Sequence, residues 1–253
     1  MTQRVLVTAG AAGIGLAIAK AFAGAGARVH IADVNREAVA EVAKHYSAIS
    51  GTVGDVSNPT DLEMLFDDVQ EQLGGLDVLV NNAGIAGATS PVANYPIDTW
   101  NAVLNVNLTG TFMVTQRAIP MLKQSSAGSI IVMSSLAGRF GYPNRVAYST
   151  TKWGLVGFTK TLSLELGPLG ITANSIHPGA VDGPRIQSVF QGRAKVSGRT
   201  IEEEISSAMA NQSVKKFIDP EDIAALALFL AGPHARAISG QMFPIDGDSK
   251  ASM

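Results

Sequence analysis

Short apolar runs alternate with longer amphipathic segments from one end of the chain to the other. Val5-Leu6-Val7 and Val78-Leu79-Val80 are apolar at every position, the pattern of a strand covered on both faces. These switches of pattern predict strands at Arg4–Thr8, Arg28–Asp33, Ser50–Gly54, Leu76–Asn81, Ser129–Ser134, Ile171–His177 and Gln241–Ile245. The segments between them predict helices near 13–25, 36–46, 59–73, 97–123, 145–167 and 220–231. Two of these helices announce their starts. Asn58-Pro59 and Asp219-Pro220 each put proline at a first helical position, and Glu221 and Asp222 follow in the positive end of the second helix.

Strands that alternate with helices in this way predict an α/β protein: one doubly wound parallel sheet of about seven strands, helices on both faces, Rossmann-like. No linker, repeat or low-complexity tract divides it, so residues 1–253 are expected to form a single domain. The one irregular stretch is 183–217, where Pro184, Gly192 and Gly198 surround a possible helix from Thr200 to Asn211. It follows a strand end, the side of an open sheet on which ligands bind, and is expected to be a lid over the substrate.

Composition narrows the chemistry. Of 253 residues 46% are hydrophobic and 16% charged, enough apolar material for a large core and for contacts between subunits. The net charge of -2, with no dense Lys/Arg run, argues against nucleic acid. Cysteine is absent, which excludes disulfides, thiolate metal sites and cysteine nucleophiles, and the four histidines have no ligand spacing, so no metal is expected. The start of the chain shows no leader pattern and no segment is apolar for the length of a membrane span. A cytoplasmic protein that engages no membrane is expected.

The first strand runs into Thr8-Ala9-Gly10-Ala11-Ala12-Gly13-Ile14-Gly15 and then a helix. Small residues there let backbone N–H groups and the helix N-terminus approach a pyrophosphate. The second strand ends at Asp33, 20 residues after Gly13, where a carboxylate can accept hydrogen bonds from a ribose diol. The loop resembles the T-G-x-x-x-G-x-G turn of the short-chain dehydrogenase/reductase family. Thr8, Gly13 and Gly15 fit it, whereas Ala9 stands in place of the first glycine, so either Gly10 takes over the permissive role or the loop shifts. The resemblance continues through Asp55 and Val56, through Asn81-Asn82-Ala83-Gly84, and through Pro178-Gly179, Pro220-Glu221-Asp222, Ser239-Gly240-Gln241 and Asp246-Gly247. It implies a cofactor site of Thr8, Gly10, Gly13, Ile14, Gly15, Asp33, Asp55, Val56, Asn82, Ala83, Gly84, Tyr148, Lys152, Pro178 and Gly179. Gly183 stands where the family has a threonine for the nicotinamide carboxamide, a task left to the backbone near Val181.

Tyr148 and Lys152 are four apart, one turn of a helix, with Ser135 at a strand end 13 residues earlier and Asn107 on the preceding long helix. In the family that the chain resembles, such Asn, Ser, Tyr and Lys residues form the active site. A phenol titrates near pH 10 in water, so Tyr148 needs nearby positive charge to act as a base, and Lys152 and an oxidised nicotinamide would supply it. Tyr148 would exchange the hydroxyl proton and Ser135 would bond the reacting oxygen. The resemblance adds that Lys152 holds the nicotinamide ribose and that Asn107 binds a water linking Lys152 to solvent. No histidine is placed to activate Ser135 for hydrolysis.

These features imply an oxidoreductase that interconverts a small secondary alcohol and a ketone with NAD, Asp33 excluding the 2'-phosphate of NADP. Ile85, Ala86, Leu136, Arg139, Phe140, Asn144 and Arg185 are candidate pocket residues, and Arg185 is a candidate for an anionic substrate group. A homotetramer is the assembly that the resemblance implies. The competing readings are a dinucleotide-sensing or scaffolding protein of the same fold without turnover, which the intact Asn107, Ser135, Tyr148 and Lys152 oppose, and an epimerase or dehydratase of the family's extended branch.

Overall fold

A computed structural model describes residues 2–251. Its seven strands are β1 (Arg4–Thr8), β2 (Arg28–Asp33), β3 (Ile49–Val53), β4 (Val78–Asn81), β5 (Ser129–Met133), β6 (Thr172–Pro178) and β7 (Met242–Ile245). They form one parallel sheet in the order β3-β2-β1-β4-β5-β6-β7. The helices are α1 (Gly13–Gly24), α2 (Arg36–His45), α3 (Pro59–Leu73), α4 (Ile97–Leu104), α5 (Thr111–Leu122), α6 (Val146–Leu166), α7 (Pro184–Ser197), α8 (Ile201–Ala210) and α9 (Pro220–Leu230).

The unbroken apolar strands are explained by two cores, one on each face. Val5, Val7, Val78, Val80, Ile131 and Met133 point to a layer that includes α1 and α9, packed on each other. Leu6, Leu79, Ile130 and Val132 point the other way, onto α3, α5 and α6. Alternate residues of one strand therefore feed opposite cores. The proline-led helices start where the sequence implies: the side chains of Asn58 and Asp219 accept the N–H groups of Thr60 and Glu221 at 3.0 and 2.9 Å.

Two segments differ from the sequence expectation. The helix predicted over 97–123 is interrupted by a π turn at Asn105–Gly110. The stretch 183–217 is more regular than its glycines imply, because α7 precedes the helix foreseen from Thr200. Gly192 does not break α7: it gives room for Thr89, whose Oγ1 would lie 2.7 Å from a Cβ. Gly198 ends the helix at φ +74°, and Thr200 opens α8 with a capping box to Glu203.

Two imidazoles are buried in the sheet. His30 on β2 lies between the hydroxyls of Ser50 and Thr52, at 2.7 and 2.9 Å, and His177 on β6 lies between Ser175 Oγ and the Ser135 carbonyl, at 2.8 and 3.0 Å. Burial pushes both down to about 4, against about 6.5 for a free imidazole. Between those limits the unfolded chain binds more protons than the fold, so stability falls as the pH drops through the window. Urea unfolding is expected to require on the order of 3 kcal/mol less at pH 5 than at pH 7, with uptake of roughly two protons. Unchanged stability between those pH values would show that the imidazoles titrate freely in the fold.

Candidate active site

β1 and β4 are neighbours, yet the chain leaves them toward opposite edges of the sheet. A crevice opens beyond the C-terminal ends of such a pair, and a cleft of about 450 Å³ lies there. Thr8 and Asn82 lock its floor. Thr8 Oγ1 accepts the N–H groups of Asn82 and Ala83, both at 3.0 Å, and Asn82 Nδ2 donates to the carbonyls of Thr8 and Ala9, at 3.0 and 3.1 Å.

This clasp holds Ala9 in the left-handed region at φ +49°. Ala9 itself thus adopts the conformation of the glycine it replaces, at a steric cost that glycine avoids. Gly10 does not take over that role. It is a matter of space, since a Cβ there would stand 2.6 Å from Ile31 Cγ2. Gly15 is tighter still: its Cβ would fall 2.0 Å from the Ala9 carbonyl oxygen.

α1 begins at the cleft, with Ala12, Gly13 and Ile14 in the lining. Its N-cap Ala12 has no side-chain acceptor, so the first N–H groups stay open at the positive end of the helix. Asp33 also lines the cleft, its two oxygens held by the N–H groups of Ala11 and Asn35 at 3.1 and 3.0 Å. An open helix N-terminus, a turn stripped of side chains and a fixed carboxylate suit the pyrophosphate and ribose of a dinucleotide. Asn82, Gly84, Pro178, Gly179 and Val181 continue the lining, whereas Thr8, Gly10, Gly15 and Ala83 stand outside it and act through the hydrogen bonds and close contacts of the loop. Asp55 and Val56 stand apart. Asp55 Oδ1 is engaged by the N–H and hydroxyl of Ser57, and Val56 packs beneath Gly110.

Ser135, Tyr148 and Lys152 meet at the other end of the cleft. Lys152 is buried, with Nζ donating to the Met133 carbonyl at 2.7 Å and lying 5.6 Å from the centre of the Tyr148 ring. Burial pushes the Tyr148 phenol up, but Lys152, Arg185, the neighbouring Ser135 hydroxyl and Arg145 outweigh it and hold the phenol below its usual value. Burial, aided by Arg185 and opposed by Tyr148, pulls the Lys152 ammonium down. Ser135 is set by its backbone. Its carbonyl can only accept, so His177 Nδ1 carries the proton there, and its Oγ accepts the Ala137 N–H at 3.1 Å.

Asn107 lies in the π turn, fully buried. Its Oδ1 accepts the Ile85 N–H at 2.8 Å, and Nδ2 donates to the Ile85 carbonyl and Thr151 Oγ1, both at 3.1 Å. The side chain is thus committed to the strand-end loop. Of the candidate pocket residues, Leu136 and Arg185 line the cleft, whereas Arg139 turns away to pair with Asp246 at 2.7 Å. Sequence reasoning missed Arg145 and Tyr142, as well as Phe190 and Arg193 on α7, all in the lining. Arg145 was detectable: it stands three residues before Tyr148, one turn away at the start of the same helix.

A family model described as enoyl-(acyl carrier protein) reductase matches residues 9–247. The chain is 37% identical to D-beta-hydroxybutyrate dehydrogenase of Rhizobium meliloti, over 98% of each sequence. Among solved structures, NAD+-bound xylitol dehydrogenase superposes with a TM-score of 0.93 at 30% identity, covering 97% of this chain and 98% of that one. Actinorhodin polyketide ketoreductase with NADPH gives 0.92 at 33% identity, covering 97% and 96%.

The clasped loop has a measurable consequence. Gly15→Ala is expected to destabilise the protein by about 2–3 kcal/mol, the cost of overpacking against a fixed carbonyl. Ala9→Gly is expected to stay within about 1 kcal/mol of the wild type, because relief of the left-handed alanine offsets a more flexible unfolded chain. Urea unfolding of both variants checks this, and equal effects would contradict the strain assigned to the loop.

Proposed function

The chain belongs to the short-chain dehydrogenase/reductase family of oxidoreductases, and we propose that it interconverts a secondary alcohol and a ketone, using NAD and Tyr148 as the proton-transferring group. The observation that carries this reading is the phenol of Tyr148, set in the cleft with Ser135 beside it and the charges of Lys152 and Arg145 against its ring. A tyrosine whose anion is favoured in this way is a better proton acceptor at a given pH than a free phenol.

Nicotinamide dinucleotide, held by the α1 N-terminus, Asp33, Asn82, Gly84 and the Pro178–Val181 segment, would supply the hydride chemistry. Tyr148 takes the alcohol's hydroxyl proton in oxidation and returns it in reduction. Ser135 bonds the reacting oxygen, positioned through its backbone by His177. Lys152 supports the phenolate, and its ammonium, which donates to the Met133 carbonyl, has further donors that would hold the nicotinamide ribose. Asn107 acts as a positioning residue: it fixes Ile85 and Thr151. Asp55 and Val56 would border the adenine end.

NAD is favoured over NADP because the Asp33 carboxylate, fixed by two backbone N–H groups, would confront a 2'-phosphate with like charge. Residues 183–217 serve as the lid: Ile186, Val189, Phe190 and Arg193 of α7 line the cleft above Tyr148. The chain forms a homotetramer. Phe112 on α5, Trp153 and Leu164 on α6, Phe229 on α9 and Met242 on β7 are large apolar side chains left exposed, available for contacts between subunits.

Three measurements test this reading. Tyr148→Phe is expected to lower turnover of any accepted alcohol by roughly three orders of magnitude while NAD affinity by calorimetry stays within a few-fold, since only the hydroxyl is removed. Substantial remaining activity would place the proton on another residue. Wild-type kcat/KM is expected to favour NAD over NADP, with Asp33→Ala erasing the preference; an unchanged preference would acquit Asp33. Sedimentation velocity at micromolar concentration is expected to give a tetramer, and a stable monomer would refute the assembly.

A further inference from the structure

Three guanidinium groups surround the substrate end of the cleft, those of Arg145, Arg185 and Arg193. They lie near enough to disfavour one another's charge, for Arg193 and Arg185 both add to the burial that pulls Arg145 below its usual value. None of the three forms an ion pair among the described residues, although Arg139 and Arg199 each find a carboxylate. The acids that share the lining are Asp33, at the cofactor end, and Asp182, which is in no ion pair among the described residues.

Arg145 is the unusual member. Only 3% of it is exposed, Nη1 donates to Thr89 Oγ1 at 3.3 Å, and the buried Nε has no acceptor among the described residues. The aromatic rings of Tyr148 and Tyr142 flank it at 5.3 and 5.6 Å. Tyr142 is shared: Arg193 lies 5.0 Å from the same ring and donates to its hydroxyl. A buried guanidinium that lacks both a counter-charge and a full set of acceptors is costly to keep. At a surface the cost would be small, but here the group stands in a ligand cleft beside the reacting phenol.

We propose that Arg145 and Arg193, with Arg185 at the mouth, form an oxyanion subsite and that the substrate is a short hydroxy acid whose carboxylate is held there. The missing acceptor and the missing negative charge would both be provided by one carboxylate, which guanidinium groups bind through charge-assisted hydrogen bonds. Because the Arg145 guanidinium lies against the Tyr148 ring, the carboxylate and the carbon that bears the hydroxyl must belong to the same small molecule, separated by few bonds. Arg193 comes from α7, so an anion in this subsite also ties the lid to the body of the protein. This inference rests on the alcohol dehydrogenase reading above and adds the substrate class.

The test compares kcat/KM for short 2- and 3-hydroxy carboxylates with their uncharged amides and with hydroxyalkyl phosphates of equal length. The wild type is expected to prefer the carboxylate over its amide by roughly 100-fold, and Arg145→Gln to reduce that ratio by roughly 30-fold or more, chiefly through KM. The ratio between two substrates of one variant cancels any general loss of folding or of Tyr148 chemistry. Arg193→Gln, on the less buried α7 side, is expected to lower the same ratio to a smaller degree, and Arg145→Lys to restore part of it. Thermal stabilisation of the cofactor-free protein by the carboxylates, absent in Arg145→Gln, provides a readout that does not require turnover. Equal efficiency toward carboxylate and amide would overturn the subsite while leaving the dehydrogenase reading intact. A preference for the phosphate would overturn the assignment to hydroxy acids. Carboxylate stabilisation with no turnover of any alcohol would support the subsite and overturn the dehydrogenase reading.

Discussion

Everything in the cleft depends on keeping a buried phenol close to positive charge. Burial alone drives Tyr148 away from ionisation, and the structure opposes it with Lys152 on the same helix, Arg185 of α7, the Ser135 hydroxyl and Arg145 at the helix N-cap. Arg145 is the N-cap of α6, three residues before Tyr148, and Lys152 follows Tyr148 by one helical turn, so the two cations lie 5.3 and 5.6 Å from the centre of the ring. That helix is itself fixed to β5 and the turn after it. Lys152 Nζ donates to Met133, Ser134 Oγ donates to the Lys152 carbonyl at 2.8 Å, and Ser149 Oγ donates to the Ala137 carbonyl at 2.9 Å. The docking of α6 on the sheet therefore fixes Lys152 and Arg145 about the phenol, and α7 adds Arg185.

The second requirement is a floor on which a dinucleotide can approach the same point. The sheet order creates the crevice and the clasp between Thr8 and Asn82 gives it shape. Holding an alanine at φ +49° there shows how strongly the surroundings dictate the turn. The strain is compensated by hydrogen bonds from the neighbouring strand end and by the absence of a side chain at Gly15.

Much of this was legible in the residues. β1 and β4 are buried on both faces and nearly all apolar, so they were visible at once, the other five strands followed from the alternation of short runs with helices, with ends off by a residue or two, and the proline-led helices carried their own start signals. Spacing put Tyr148 and Lys152 one helix turn apart, and the family resemblance joined Ser135 to them. What stayed hidden depends on partners distant in sequence. The π turn has no local signature, since it serves the contact of Asn107 with Ile85, 22 residues away. α7 was obscured by Gly192, which reads as a breaker until Thr89 is seen against it. Arg139 looked like a pocket residue only while its partner Asp246, 107 residues away, was unknown.

The proton transfer proposed for Tyr148 rests on the positive charge around it. Its most direct test is the pH dependence of alcohol oxidation, measured in the wild type and in Lys152→Met. The rate is expected to rise with pH to a plateau whose midpoint lies below the value of about 10 for a free phenol, and the residual rate of Lys152→Met to show a midpoint shifted upward. A wild-type midpoint at the free-phenol value, or one that does not move when Lys152 is replaced, would contradict it.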